Sequence, residues 1–204
     1  MTSLDPTAAL LVIDMQLGFD DPAWGKRNNP GAELCIAMLL DAWRQHGSTV
    51  VHVHHHSMDP SGHFKPGTPG CRPKPEAMPL PEEPVYHKRV NGAFIGTSLE
   101  ADLRERGIDT VVIAGLSTNH CISTTVRMAG NLGFRTYVVA DATAAFARAA
   151  ADGRWRSAEE VHDGALGDLQ QEFAELIDTA AAIAALTRAH ERAPRRASSD
   201  LQKS

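Results

Sequence analysis

Paired cysteines are missing from this chain. Its 204 residues include three, Cys35, Cys71 and Cys121, an odd number with no paired spacing. A disulfide framework is therefore not expected, and a reducing, cytoplasmic setting suits the chain better. Excess positive charge is missing as well: Lys and Arg number 20 against 25 Asp and Glu, a net charge of -5. That mild acidity argues against nucleic acid or an anionic membrane as the main partner. No apolar run approaches the roughly 20 residues that a membrane span requires. The opening Met-Thr-Ser-Leu-Asp-Pro lacks a basic stretch followed by an apolar one, so no secretion signal is expected. The length suits one domain with a full core rather than two.

What is present is an alternation of short apolar runs and helical periods. Ala8–Ile13 is continuously apolar, ends in Asp14 and reads as a buried strand. Gly31–His46 has helical spacing and stops before Gly47. Thr49–His54 is a second strand, and Ser57 to Pro84 is crowded with Pro and Gly, which predicts a long ordered loop. Pro84–His87 is a short candidate strand and Thr97–Arg106 a helix closed by Gly107. Arg135–Ala140 is again a strand, ending in Asp141, a position suited to capping a helix. Ser157–Gln171 is helical, with Ser157 and Glu160 spaced as a capping box. Phe173–Ile177 is a last short strand and Thr179–Ala189 an Ala-rich helix. The domain is thus expected over 1–189, with a flexible polar tail over 190–204. Such alternation predicts an α/β fold, a parallel sheet with helices on both faces. Ligands bind such sheets beyond the carboxyl ends of the strands, where strand order reverses.

The segment from Thr110 carries the chemistry. Thr110–Ala114 is a β-branched strand, Gly115 ends it, and Ser117 or Thr118 is placed to cap the helix that follows. Cys121 then falls in the first helical turn, where N–H groups and the helix dipole are expected to depress its pKa and populate a thiolate nucleophile. Asp14, partly desolvated at a strand end, is a usable general base. Lys88, after Val85-Tyr86-His87, is a cation able to hold both anions in place. All three lie just past strand ends, so one crevice could hold them.

Together these residues resemble the isochorismatase-like cysteine hydrolases, the superfamily that includes nicotinamidases and N-carbamoylsarcosine amidohydrolases. The resemblance rests on Val12-Ile13-Asp14-Met15-Gln16 with Phe19, on Lys88 with Asn91-Gly92-Ala93-Phe94 and Thr97-Ser98-Leu99, and on Gly115-Leu116-Ser117-Thr118-Asn119-His120-Cys121. It spans about Thr7 to Ala185. It implies a three-layer α/β/α fold with six parallel strands in order 3-2-1-4-5-6. It also implies a catalytic triad of Asp14, Lys88 and Cys121, and a cis peptide at Leu116–Ser117 that aligns the Ser117 and Cys121 N–H groups as an oxyanion hole. The implied chemistry is hydrolysis of a small amide, carbamoyl or related C–N bond through a thioester, and the implied assembly is a homodimer or homotetramer. The isochorismatase branch itself lacks the cysteine, so Cys121 points to the acyl-hydrolysing side.

The departures matter. Nicotinamidases hold a metal through an aspartate and histidines after the second strand. Here His55 stands at the aspartate position, Ser57 at the first histidine and His63 at the second, and no histidine lies between Phe64 and Tyr86. No metal or other cofactor is expected. His52, His54, His55, His56 and His63 remain a dense imidazole group of a kind that suits zinc or copper, although side chains alternate along a strand and do not all converge. Candidate pocket residues are Phe19, His55, His56, Asn91 and Phe94, with a small molecule as the partner. His120 is read as structural, Cys35 as core and Cys71 as an exposed, inert thiol. A second functional class stays open: a non-catalytic or redox-sensing protein that uses Cys121 as a reactive thiol.

Overall fold

The computed structural model describes residues 4–193. Strand β1 (Ala9–Ile13) is fully buried and leads, through two short 3-10 turns, to helix α1 (Ala32–Gln45). Strand β2 (Val50–His55), the Pro/Gly loop, strand β3 (Val85–Lys88) and helix α2 (Leu99–Glu105) follow. Then come β4 (Thr110–Leu116), a π-helical turn (Thr118–Ile122) and α3 (Ser123–Asn131). Strand β5 (Arg135–Ala144) precedes an antiparallel two-residue pair, β6 (Arg148–Ala149) and β7 (Trp155–Arg156). The chain closes with α4 (Ala158–Gly167), β8 (Glu175–Ile177) and α5 (Thr179–Arg192).

The main sheet has six strands, all parallel, in the order β3-β2-β1-β4-β5-β8. This is the expected order, with β8 as the sixth strand because the small hairpin intervenes. Successive residues of a strand point to opposite faces, which splits the core in two. Leu10, Val12 and Val112 pack with Ile36 and Leu39 of α1 and Leu186 of α5. Leu11, Ile13 and Ile113 pack on the other face with Leu103 of α2, Val126 of α3 and Leu166 of α4.

Local chemistry explains most element ends. Ser157 and Glu160 form the reciprocal capping box expected from their spacing. Asp141 does not end its strand: β5 runs on to Ala144, and the Asp141 carboxylate accepts from Thr179 N and Oγ1, both at 2.9 Å, at the start of α5. Pairing between β4 and β5 is irregular there, stepping from Ile113↔Val138 to Gly115↔Thr143. The Asn29 amide bridges the step by donating to the carbonyls of Ala140 and Thr143. Helix α5 extends past Ala189 to Arg192, into the segment expected as a tail, and 194–204 of that segment lie outside the described residues. The long loop holds only two 3-10 turns, Pro69–Cys71 and Pro75–Ala77. It is strapped to the end of β1 by Leu17 N to Arg72 O and Lys74 N to Met15 O, and Phe64 packs its ring on Phe19 at 4.7 Å.

Candidate active site

The strand order reverses between β1 and β4, and the site is built across that gap. Ile13 pairs with Gly115. A side chain at Gly115 would place Cβ 2.0 Å from the Ile13 carbonyl, and its φ of 128° lies where L residues rarely go. Glycine is thus what lets the two strand ends approach closely. Asp14, next along, adopts φ 53°, the left-handed region. Its N–H still bonds Val53 O at 2.7 Å, so the sheet anchors a backbone bend at the residue whose carboxylate enters the crevice.

The three residues expected from the sequence come together there. Lys88, the last residue of β3, has its side chain fully buried and donates to Asp14 Oδ2 at 2.7 Å and to Cys121 Sγ at 3.2 Å. The long side chain does cross from β3, two strands away from β1. Asp14 is 1% exposed and its other oxygen, Oδ1, is buried with no hydrogen-bond partner. Asn91 Oδ1 lies 3.7 Å from the Cys121 sulfur.

The electrostatics differ from the sequence expectation. Ser117 and Thr118 do not cap the segment with their side chains; Thr118 Oγ1 pairs instead with His162 Nδ1 at 2.9 Å. Cys121 sits inside a π-helical turn and is 8% exposed. Burial, reinforced by the negative charge of Asp14 and only partly countered by Lys88, pushes its thiol up to about 12. The shift thus runs opposite to the lowering expected at a helix start, because desolvation outweighs the dipole at this depth. Burial likewise raises the Asp14 carboxyl above its ordinary range, offset in part by Lys88 and by the Cys121 thiol. The peptide between Leu116 and Ser117 is cis, and the Ser117 carbonyl accepts from His120 N and Ile122 N.

Not every candidate pocket residue gathers at the thiol. His55 does, with Nδ1 3.3 Å from Lys88 Nζ. His56 faces away and stacks on His87 with ring centroids 4.0 Å apart, as side-chain alternation along β2 dictates. Phe19 is buried in an aromatic group with Trp24, Phe64 and Phe146. Phe94 stacks on Phe134 at 5.8 Å. His120 is exposed and meets Arg148 at 2.9 Å. Cys35 is half-buried, 3.8 Å from Asp141 Oδ2, and Cys71 is half-buried beside Gln16 rather than exposed.

One residue that the sequence reading left unassigned is Gln16. Fully buried, it accepts from His55 N at 2.7 Å and donates to the carbonyls of His55 and Cys71. It locks the end of β2 and the long loop to the site. A glutamine two residues past a buried strand-end aspartate is the signal that could have marked it.

The metal set of the nicotinamidases does not fit. The Ser57 hydroxyl accepts from Asp59 N at 3.1 Å, and His63 pairs with Asp21 at 3.1 Å. Among the described residues, the one trio of donor atoms close enough to share an ion is Asp14, His55 and Cys121, and the Lys88 ammonium already contacts all three. Dialysis against a strong chelator is expected to leave activity unchanged. Activity that is lost on chelation and restored by one particular metal would refute this.

The comparisons with known proteins decide the family. The family model for the isochorismatase domain matches residues 8–181. The chain belongs to the isochorismatase family. It is 44% identical over 176 residues to the uncharacterized isochorismatase family protein YrdC of Bacillus subtilis, covering 86% of this chain and 94% of that one. It is 31% identical over 185 residues to nicotinamidase 3 of Arabidopsis thaliana, covering 84% of each. A solved isochorismatase-family structure from Chromobacterium violaceum superposes with a TM-score of 0.89 at 44% identity, covering 92% of this chain and 99% of that one. The protein is thus a hydrolase-family α/β/α domain, and among its described residues no helix is long and apolar enough to cross a membrane.

Proposed function

We propose that this isochorismatase-family protein is a cysteine-dependent hydrolase that cleaves a small amide, carbamoyl or related C–N bond. The observation that carries the reading is the buried Lys88 ammonium bridging Asp14 at 2.7 Å and Cys121 at 3.2 Å. The relative named nicotinamidase supports the amide class. In this reading the Cys121 proton moves to Asp14, whose partnerless Oδ1 is the available acceptor. Sulfur then attacks the carbonyl carbon, and the Ser117 and Cys121 N–H groups receive the oxyanion. As the tetrahedral intermediate collapses, the protonated Asp14 gives its proton to the departing nitrogen, leaving a thioester. Water, deprotonated by Asp14, attacks the thioester; the acid departs and Cys121 regains its proton. Lys88, within hydrogen-bond reach of both, balances whichever neighbour is anionic. A nucleophile only 8% exposed admits a small acyl group rather than a polymer.

The redox-sensing alternative calls for an accessible, low-pKa thiol. The buried Cys121, held up to about 12, is the opposite. A panel of small amides scored for ammonia release, with mass spectrometry of Cys121, tests the reading. An acyl adduct supports it; a sulfenate or disulfide in place of an adduct overturns it.

We also propose self-association, at least as a homodimer. Val90 and Ile95, flanking the Asn91–Phe94 stretch beside the thiol, and Leu34 and Met38 on α1 leave apolar surface exposed. Sedimentation at micromolar concentration is expected to show a species heavier than the 22.0 kDa chain; a purely monomeric profile would refute it.

A further inference from the structure

The Lys88 ammonium has a third close neighbour besides Asp14 and Cys121: His55 Nδ1, at 3.3 Å. An ammonium has three N–H donors and no acceptor, so the carboxylate, the sulfur and the imidazole together occupy all of them. We propose that His55 is a positioning residue for the reaction: its neutral imidazole accepts the third ammonium N–H through Nδ1 and holds Lys88 centred between Asp14 and Cys121. The proposal rests on the cysteine-hydrolase reading above and adds to the triad a residue that acts through Lys88 rather than on substrate.

Two features fix the ring in that role. Because Nδ1 faces a donor, the ring proton is assigned to Nε2 and Nδ1 keeps its lone pair. The backbone on which the ring stands is held at both N–H and C=O by the Gln16 amide. Phe64 closes the far side of the ring, edge-on at 5.8 Å. The charged and titratable groups around the ring are Lys88 from β3, Asp14 from the end of β1, Cys121 from the π-helical turn and His56 next in the chain. Burial, then the Lys88 charge, hold the imidazole below its ordinary pKa. It therefore stays neutral and accepting through the neutral range. Protonation at Nδ1 would remove the acceptor and set a second cation against the ammonium.

The test uses the full-length chain and iodoacetamide, with Cys121 alkylation followed by peptide mass spectrometry, so no substrate need be known. His55→Leu removes the acceptor; His55→Asn keeps a side-chain acceptor close to the Nδ1 position. With the ammonium displaced from the thiol, Cys121 in His55→Leu is expected to alkylate about tenfold more slowly at mildly alkaline pH, the scale of one hydrogen bond to a charged group. The alkylation pH profile shifts to higher pH, and His55→Asn recovers most of the rate. Adding His55→Leu to Lys88→Met is expected to cause no further slowing, because the effect runs through Lys88. A wild-type alkylation profile in His55→Leu, no recovery in His55→Asn, or additive losses in the double variant each overturn the proposal. The hydrolase reading fails separately, if Cys121→Ala still turns substrate over.

Discussion

Cys121→Ala is expected to lose turnover by at least about 10⁴-fold, the scale on which removal of a covalent nucleophile acts. The fold is expected to survive. Cys121 lies at the margin of the core that packs on α2, α3 and α4, and exchanging a thiol for a hydrogen there costs about 1–2 kcal/mol by analogy with other large-to-small core changes. Steady-state rates on any amide that the panel identifies, with urea unfolding alongside, provide the check. Activity within tenfold of wild type in the purified variant would end the nucleophile assignment. Cys121→Ser is expected to be nearly as inactive. A serine hydroxyl is less acidic than a thiol, and Asp14 would have to deprotonate it in the same buried setting.

Asp14→Asn is expected to separate two properties that usually travel together. Turnover falls by about 10³-fold or more, at the upper part of what one general acid–base group contributes, because an amide neither takes the thiol proton nor returns it to the leaving nitrogen. Alkylation of Cys121 by iodoacetamide moves the other way. In the wild type burial and, after it, the negative Asp14 hold the thiol up to about 12, so alkylation is expected to climb as pH rises. Neutralising residue 14 removes that repulsion and leaves the Lys88 ammonium with the thiol as its anionic partner. The thiolate then forms at lower pH, and alkylation at pH 7–8 is expected to speed up while catalysis collapses. Intact turnover in the variant would remove Asp14 from the proton path, and unchanged or slower alkylation would refute the repulsion between Asp14 and the thiol.

Linear order determined a good deal here. The apolar run Ala8–Ile13, the β-branched run from Thr110 and the alternating helical periods were enough for a parallel α/β sheet, because strands buried on both faces read as continuous apolar segments. The position of Asp14 at a strand end was likewise visible, since β1 announces its end through a change from apolar to polar residues, whereas Lys88 closes the short mixed strand Val85-Tyr86-His87-Lys88. The capping box at Ser157 and Glu160 is a purely local device and was legible for that reason.

Tertiary structure alone decided the rest. No window of sequence shows that β5 runs past Asp141 while its pairing steps around a bulge, because the Asn29 amide that bridges the step arrives from more than a hundred residues away. The pKa shift of Cys121 runs opposite to what its neighbours in the chain suggest. A helix start favours an anion, yet that effect is local and modest, whereas burial beside a carboxylate depends on everything packed around the sulfur. His55 and His56 are adjacent in the chain and alike in chemistry, but strand alternation sends one to the Lys88 ammonium and the other to His87. Which of two neighbouring histidines reaches the site is set by the face of a sheet that exists only once β1, β2 and β3 have assembled.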